Sequence, residues 1–176
     1  MMNTETPMIR EAVPEDAALL AAFAEKAFRE AFAALNSKDD FERYVSGAFT
    51  QDRIASEIRD ENSFFFIATV SGEWAGYAKL NQSRPPQCVR SLPAMELARL
   101  YALKPYWGCG IGPALMETCL AYARRMDFKS IWLGSWKKNH RGNAFYARNG
   151  FGIVGETTFA LGGDIQEDHI FSKMLG

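Results

Sequence analysis

Histidine and cysteine are scarce in this sequence, and their scarcity excludes whole classes of chemistry. His140 and His169 are the two histidines in 176 residues, far apart and with no cysteine or carboxylate at ligand spacing. A zinc site needs several such ligands close together, so no metal is expected. The three cysteines, Cys88, Cys109 and Cys119, are odd in number and irregularly spaced. That argues for free thiols in a reducing compartment and against a disulfide framework. No apolar run approaches the ~20 residues that span a bilayer, and the polar residues 1–7 lack the apolar stretch of a secretory signal. A cytoplasmic location without a membrane partner is the expectation. Basic blocks are also missing: 20 Lys and Arg stand against 21 Asp and Glu, for a net charge of −1. Nucleic-acid binding therefore has no electrostatic footprint.

What the chain does have is aromatic bulk, with 13 Phe, 6 Tyr and 4 Trp. Its length suits one domain with a sizeable core. We expect a tail over residues 1–8 and a single domain over 9–176, since no repeat or linker divides the chain. Residues 8–12 read as a strand. Val13-Pro14-Glu15-Asp16 reads as a helix start, with proline near the first turn and two acids at the positive end of the dipole. Leu19, Leu20, Phe23, Ala27 and Phe28 recur at helical spacing as far as about Leu35. Phe41 to Phe49 predicts a second helix, and Ile54 with Ile58 a third. Strands follow over 64–70, 74–80 and 95–103, the first two joined by the turn Ser71-Gly72-Glu73. A helix over about 113–126, a strand over 130–136, a helix over 139–148 and strands over 152–160 and 165–174 complete the order. This is a mixed α/β or α+β sheet, with strand–helix–strand crossovers confined to the middle.

The strongest local signal is Trp107-Gly108-Cys109-Gly110-Ile111-Gly112, between a predicted strand and a helix. Alternating glycines allow sharp turning and close backbone approach to a ligand. The next helix offers unpaired N–H groups to an anion. A Walker A loop would need Lys followed by Ser or Thr after the last glycine, and Gly112-Pro113-Ala114 fails. The dinucleotide fingerprint needs a third glycine three residues after the second, which Pro113 does not supply.

This segment resembles the acetyl-CoA loop of the GCN5-related N-acetyltransferase (GNAT) superfamily, Gln/Arg-x-x-Gly-x-Gly/Ala. Gly110 and Gly112 fill its small positions, and Trp107 stands where Gln or Arg is usual. Asn139, Phe145, Tyr146, Gly150 and Phe151 match the superfamily's Asn-x-x-Ala-x-x-Phe-Tyr-x-x-x-Gly-Phe, with Gly142 replacing Ala. The resemblance implies a GNAT fold: a central mixed, mostly antiparallel sheet of about seven strands flanked by helices. It implies acetyl-CoA as cosubstrate, bound by Leu100, Tyr101 and Ala102 along the pantetheine arm and by Gly108, Cys109, Gly110, Ile111 and Gly112 at the pyrophosphate. Asn139 and Tyr146 would also contact the cofactor. A homodimer, paired through C-terminal strands, is expected as well. The C-terminal Phe159-x-Leu161-Gly162-x-Asp164-x-Gln166-x-Asp168-x-Ile170 resembles the bacterial Pai-type polyamine acetyltransferases, and Gly163 departs where an acid is more usual. Spermidine or spermine is thereby implied as acceptor. Transfer to protein N-termini or lysines, or an acyl-CoA-sensing module without turnover, are the alternatives.

In the implied reaction an amine attacks a thioester and the CoA thiolate leaves. At pH 7 an alkylamine of pKa ~10.4 is neutral in only about one molecule in two thousand, a deficit of roughly 4–5 kcal/mol. A general base is therefore worth seeking. Glu96, four residues before Leu100, matches the position of the superfamily's catalytic glutamate, although it could equally be a solvated strand-start acid or a partner for Arg99. Tyr146 is the candidate general acid for the thiolate, unless it is a core tyrosine paired with Phe145. An ordinary phenol would transfer its proton to that thiolate at a cost of ~2 kcal/mol. Asn139 could cap a helix instead of, or as well as, binding pantetheine. Cys109 and Cys119 have no histidine placed to activate them. A polycationic substrate needs acids, and Asp39, Asp40, Asp164, Glu167 and Asp168 are available, with Asp164 and Asp168 preferred.

Overall fold

A computed structural model describes residues 5–176. The chain runs β1 (Met8–Glu11), α1 (Ala17–Phe32), α2 (Lys38–Ala48), α3 (Gln51–Arg59), β2 (Ser63–Val70), β3 (Glu73–Asn81), β4 (Ala94–Ala102), α4 (Ile111–Arg125), β5 (Ser130–Trp136), α5 (His140–Arg148), β6 (Gly152–Leu161) and β7 (Asp164–Met174). The seven strands form one sheet in the order β1-β2-β3-β4-β5-β7-β6. Every neighbouring pair is antiparallel except β4 and β5, which are parallel. The expected mixed, mostly antiparallel sheet of seven strands with flanking helices is thus the observed one.

Local chemistry accounts for the helix starts. Asp16 accepts from the Val13 N–H at 2.8 Å and pairs with Arg10, tying β1 to a single 3-10 turn before α1. Ser37 and Thr50 each cap a helix, accepting from the N–H of Asp40 at 3.3 Å and of Arg53 at 3.2 Å. Such caps satisfy N–H groups that otherwise have no partner.

The sheet is covered on both faces. On one, Met95, Leu97, Ile131, Leu133 and Phe171 pack against Ile111, Leu115 and Met116 of α4. On the other, Phe65 and Tyr77 pack against Leu20, Phe28, Phe41, Phe49 and Ile54 of α1–α3. Gly76 of β3 lets α4 come down close: a Cβ there would lie 2.7 Å from Ile111 and 2.8 Å from the Tyr101 carbonyl oxygen. A side chain at this position would push the start of α4 off the sheet.

The feature that shapes the site is a split. β4 and β5 pair only over Ala94–Ser130, Met95–Ile131 and Glu96–Trp132. Beyond Glu96 the two strands diverge. The register with β3 slips at the same place, where Lys79 faces Arg99 but Leu80 faces Leu97. Ala98 is therefore an extra residue, and a bulge of this kind bends and twists its strand.

Candidate active site

The glycine turn lies at one mouth of the split, at the N-terminus of α4. Gly108 and Gly110 have φ of +78° and +83°, the left-handed region that residues with a Cβ rarely adopt. Gly110 caps α4. Among the described residues nothing accepts from the N–H groups of Gly108, Gly110, Ile111 or Gly112. Four unpaired donors thus fall within five residues at one helix start, a pattern suited to an anion. Two details differ from expectation. The helix starts at Ile111, so Pro113 is its third residue and not its first; the three-residue turn before Trp107 and the left-handed Gly110 begin the coil earlier than the proline suggested. The Cys109 N–H already donates to the Tyr106 carbonyl at 3.1 Å, so Cys109 offers no free amide.

Tyr146 and Asn139 come from α5. Asn139 Oδ1 accepts from the Gly142 N–H at 3.1 Å and caps the helix, leaving its amide NH₂ free to reach a ligand. A Cβ at position 142 would stand 2.3 Å from the folded-back Asn139 side chain, so alanine there would require that side chain to shift. Asn143, which sequence reasoning did not single out, fastens α5 to the end of β5. It accepts from the Ser135 hydroxyl at 2.7 Å and donates to the carbonyls of Trp136 and Lys137. Phe145 packs onto Gly112, where a Cβ would meet its ring at 3.3 Å. The aromatic pair with Phe145 is present: the Tyr146 ring meets Phe145, Phe151 and Phe171 at centroid distances of 5.6, 6.0 and 5.7 Å. Burial pushes its phenol up to about 12. Against a thiol near 8.5, full proton transfer then costs about 5 kcal/mol, more than an ordinary phenol would need. Tyr146 therefore stays protonated at working pH and keeps its O–H.

Glu96 is the last β4 residue paired with β5, so it stands at the apex of the split. It does not pair with Arg99. Its Oε2 accepts from Ser83 at 2.6 Å and Asn81 at 3.3 Å. Arg99 instead grips Glu57 of α3 through Nη1 at 2.8 Å and Nη2 at 3.2 Å, and Lys79 joins the same carboxylate at 3.0 Å. Of the backbone expected to hold pantetheine, Leu100 and Tyr101 lie on the stretch of β4 that pairs with β3 but no longer with β5. The Ala102 carbonyl already accepts from the Trp107 indole at 2.8 Å.

Strand alternation places Glu96, Trp132, Gly134, Trp136 and Asp168 on the α1–α2 face of the split. Asp168 pairs in register with Trp136. Its Oδ2 lies 3.6 Å from where a Gly134 Cβ would be. Its Oδ1 is buried without a hydrogen-bond partner among the described residues, and burial pushes the carboxyl up to about 6. Asp40, Asp164 and Glu167 are already engaged. Asp40 accepts from Gly163 N–H at 2.8 Å and from Ser37, which explains why an acid at position 163 would be repelled. Asp164 accepts from Gln166 at 3.1 Å, and Glu167 faces Lys137. Phe32, at the end of α1, bridges the gap, 6.1 Å from Tyr101 and 6.4 Å from Trp136 between ring centroids. The cysteines are free, and Cys119 is sealed in the core with its thiol pushed up to about 12, which removes it as a nucleophile.

Residues 18–151 match the model of the acetyltransferase (GNAT) family. The chain belongs to this family. An uncharacterized N-acetyltransferase in the pepI 3′ region of Lactobacillus delbrueckii subsp. lactis is 30% identical over 154 residues, 88% of this chain and 89% of that one. Among solved structures, PaiA N-acetyltransferase from Thermoplasma acidophilum in complex with coenzyme A superposes with a TM-score of 0.80 at 21% identity, covering 97% and 99% of the two chains. Salmonella typhimurium yncA with its cofactor acetyl-CoA gives 0.73 at 17% identity, over 98% and 95%. The GNAT chain is an acetyl-CoA-dependent N-acetyltransferase, and among its described residues no helix is long and apolar enough to cross a membrane.

Proposed function

We propose that this GNAT enzyme acetylates a primary amine of a small polycation such as spermidine or spermine, by direct attack in a ternary complex. The observation that carries the reading is Asp168: a carboxylate with an unpartnered oxygen beside the split, on the face walled by Phe32, Tyr101 and Trp136. A carboxylate with aromatic faces is a good host for an alkylammonium. Acetyl-CoA enters the split with its diphosphate on the N–H groups of Gly108, Gly110, Ile111 and Gly112. Its pantetheine lies along Leu100 and Tyr101 and beside Asn139. Glu96 takes the proton from the amine, directly or through water. The lone pair then attacks the thioester carbon. When the tetrahedral intermediate collapses, the C–S bond breaks, the nitrogen gives its remaining extra proton to water, and Tyr146 donates a hydrogen bond to the sulfur, or in the limit its proton, which water then restores.

Thiol release from acetyl-CoA with spermidine, spermine and a panel of peptide N-termini tests the reading. Polyamines are expected to outperform neutral amines. Asp168→Asn is expected to raise the polyamine KM about 10-fold, the scale of one charge-assisted contact. A carboxyl titrating near 6 is ionised above that pH and neutral below it, so the wild-type KM rises as pH falls through about 6, and the Asn variant lacks this rise. Peptide turnover without polyamine turnover would refute the acceptor assignment.

We also propose that a second copy covers β6. It is the sheet's edge and exposes Ile153, Val154 and Phe159. A long apolar edge strand invites pairing. Sedimentation at micromolar concentration is expected to show a dimer, and a monomer would end this idea.

A further inference from the structure

Arg141 stands in a place that disfavours a cation. It is the second residue of α5, at the positive end of the helix dipole, and α5 has no acid in its first turn. Among the described residues it has no carboxylate partner. Burial and the nearby Arg148 both work against its charge. Yet its position is held: the guanidinium carbon lies 3.5 Å from the centre of the Trp107 ring, a stacking contact. The indole is itself anchored by its hydrogen bond to the Ala102 carbonyl. Trp107 directly precedes the glycine turn, whose four unused N–H groups follow within five residues. A guanidinium stacked on an aromatic platform keeps its N–H edges free for an oxyanion. An anion at this point would relieve the helix dipole, the Arg148 repulsion and the missing counter-ion together.

We propose that Arg141, carried on Trp107, is the cationic contact for the diphosphate of the acyl-CoA. Position 107 is an uncharged tryptophan, and the positive charge beside the glycine turn comes from α5. The inference rests on the acetyl-CoA reading above but not on the identity of the amine.

Calorimetric titration with CoA and with 3′-dephospho-CoA decides it, using wild type, Arg141→Gln and Arg141→Lys. Gln is expected to weaken both ligands by the same factor, roughly 10–100-fold, as for loss of a charged hydrogen bond. Lys should recover part of the loss, because an ammonium keeps the charge but not the flat stack and fork. The salt dependence of CoA affinity should also flatten in the Gln variant, a change that a packing role would not produce. The KM for acetyl-CoA should rise in parallel with the loss of CoA affinity, since lost uniform binding appears in KM. Unchanged CoA affinity in Arg141→Gln overturns the proposal. Weakening confined to CoA, with 3′-dephospho-CoA unaffected, moves Arg141 to the 3′-phosphate and overturns the diphosphate assignment. A wild type that binds neither ligand refutes the acetyl-CoA reading itself.

Discussion

Tyr146→Phe is expected to lower kcat by about 10²–10⁴-fold, the range typical of a positioned acid. The KM for acetyl-CoA should change little. The substitution removes one hydroxyl and keeps the ring, so the contacts with Phe145, Phe151 and Phe171 survive. The lower end of the range is favoured, because burial raises the phenol to about 12 and makes it a reluctant proton donor. The same burial implies that Tyr146 does not ionise below about pH 12, so any loss of activity between pH 8 and 10 must come from another group. Steady-state rates of thiol release across pH check both points. Near-normal kcat in the Phe variant would leave Tyr146 as a packing residue and assign the thiolate's proton to water.

Glu57→Gln is expected to destabilise the fold by about 3–5 kcal/mol, the cost of breaking a buried ion pair from one side. For a chain of this size that is a fall in Tm of about 6–20 °C. Glu57 is the carboxylate that Lys79, Arg99 and Arg53 share. Lys79 is only 6% exposed and lies over the Phe65 ring, with Arg99 over Phe49. Without Glu57, two buried cations on adjacent strands repel each other in a poorly solvated space. Arg53→Gln, which removes an exposed partner, should cost less than about 1 kcal/mol. Burial opposes ionisation of Glu57, but Arg99 and Lys79 outweigh it and hold the carboxyl below its usual range. Its stabilisation is therefore complete above the unfolded-state pKa and is lost as pH falls through the depressed folded value. Thermal melts of the Gln variant should show a weaker fall in acid than the wild type. Equal Tm values for variant and wild type at neutral pH would show that the cluster is solvated and of little energetic weight.

Much of the fold was legible in the sequence because its determinants are local. Helical spacing from Leu19 to Phe28, the turn at Ser71-Gly72 and the glycines at 108, 110 and 112 each act within a few residues. The observed elements match the expected ones to within about two residues at most ends. The motif pair around Gly110 and Tyr146 similarly identified the loop and the helix that approach the split. Strand alternation could also have separated Asp164 and Asp168 from Glu167, since alternate residues face opposite sides. What the chain's order could not show was which distant residues meet. That β7 slips between β5 and β6 is a matter of sheet pairing, and it alone brings Asp168 opposite Trp136. Arg99 had a plausible partner three residues away in Glu96, yet it pairs with Glu57 across 42 positions, freeing Glu96 at the apex of the split. Arg141 reaches Trp107 across 34 positions of sequence. Residue types and local turns follow from short-range sterics and hydrogen bonding. The state of each charge depends on burial and on the nearest opposite charge, and both are properties of the packed molecule.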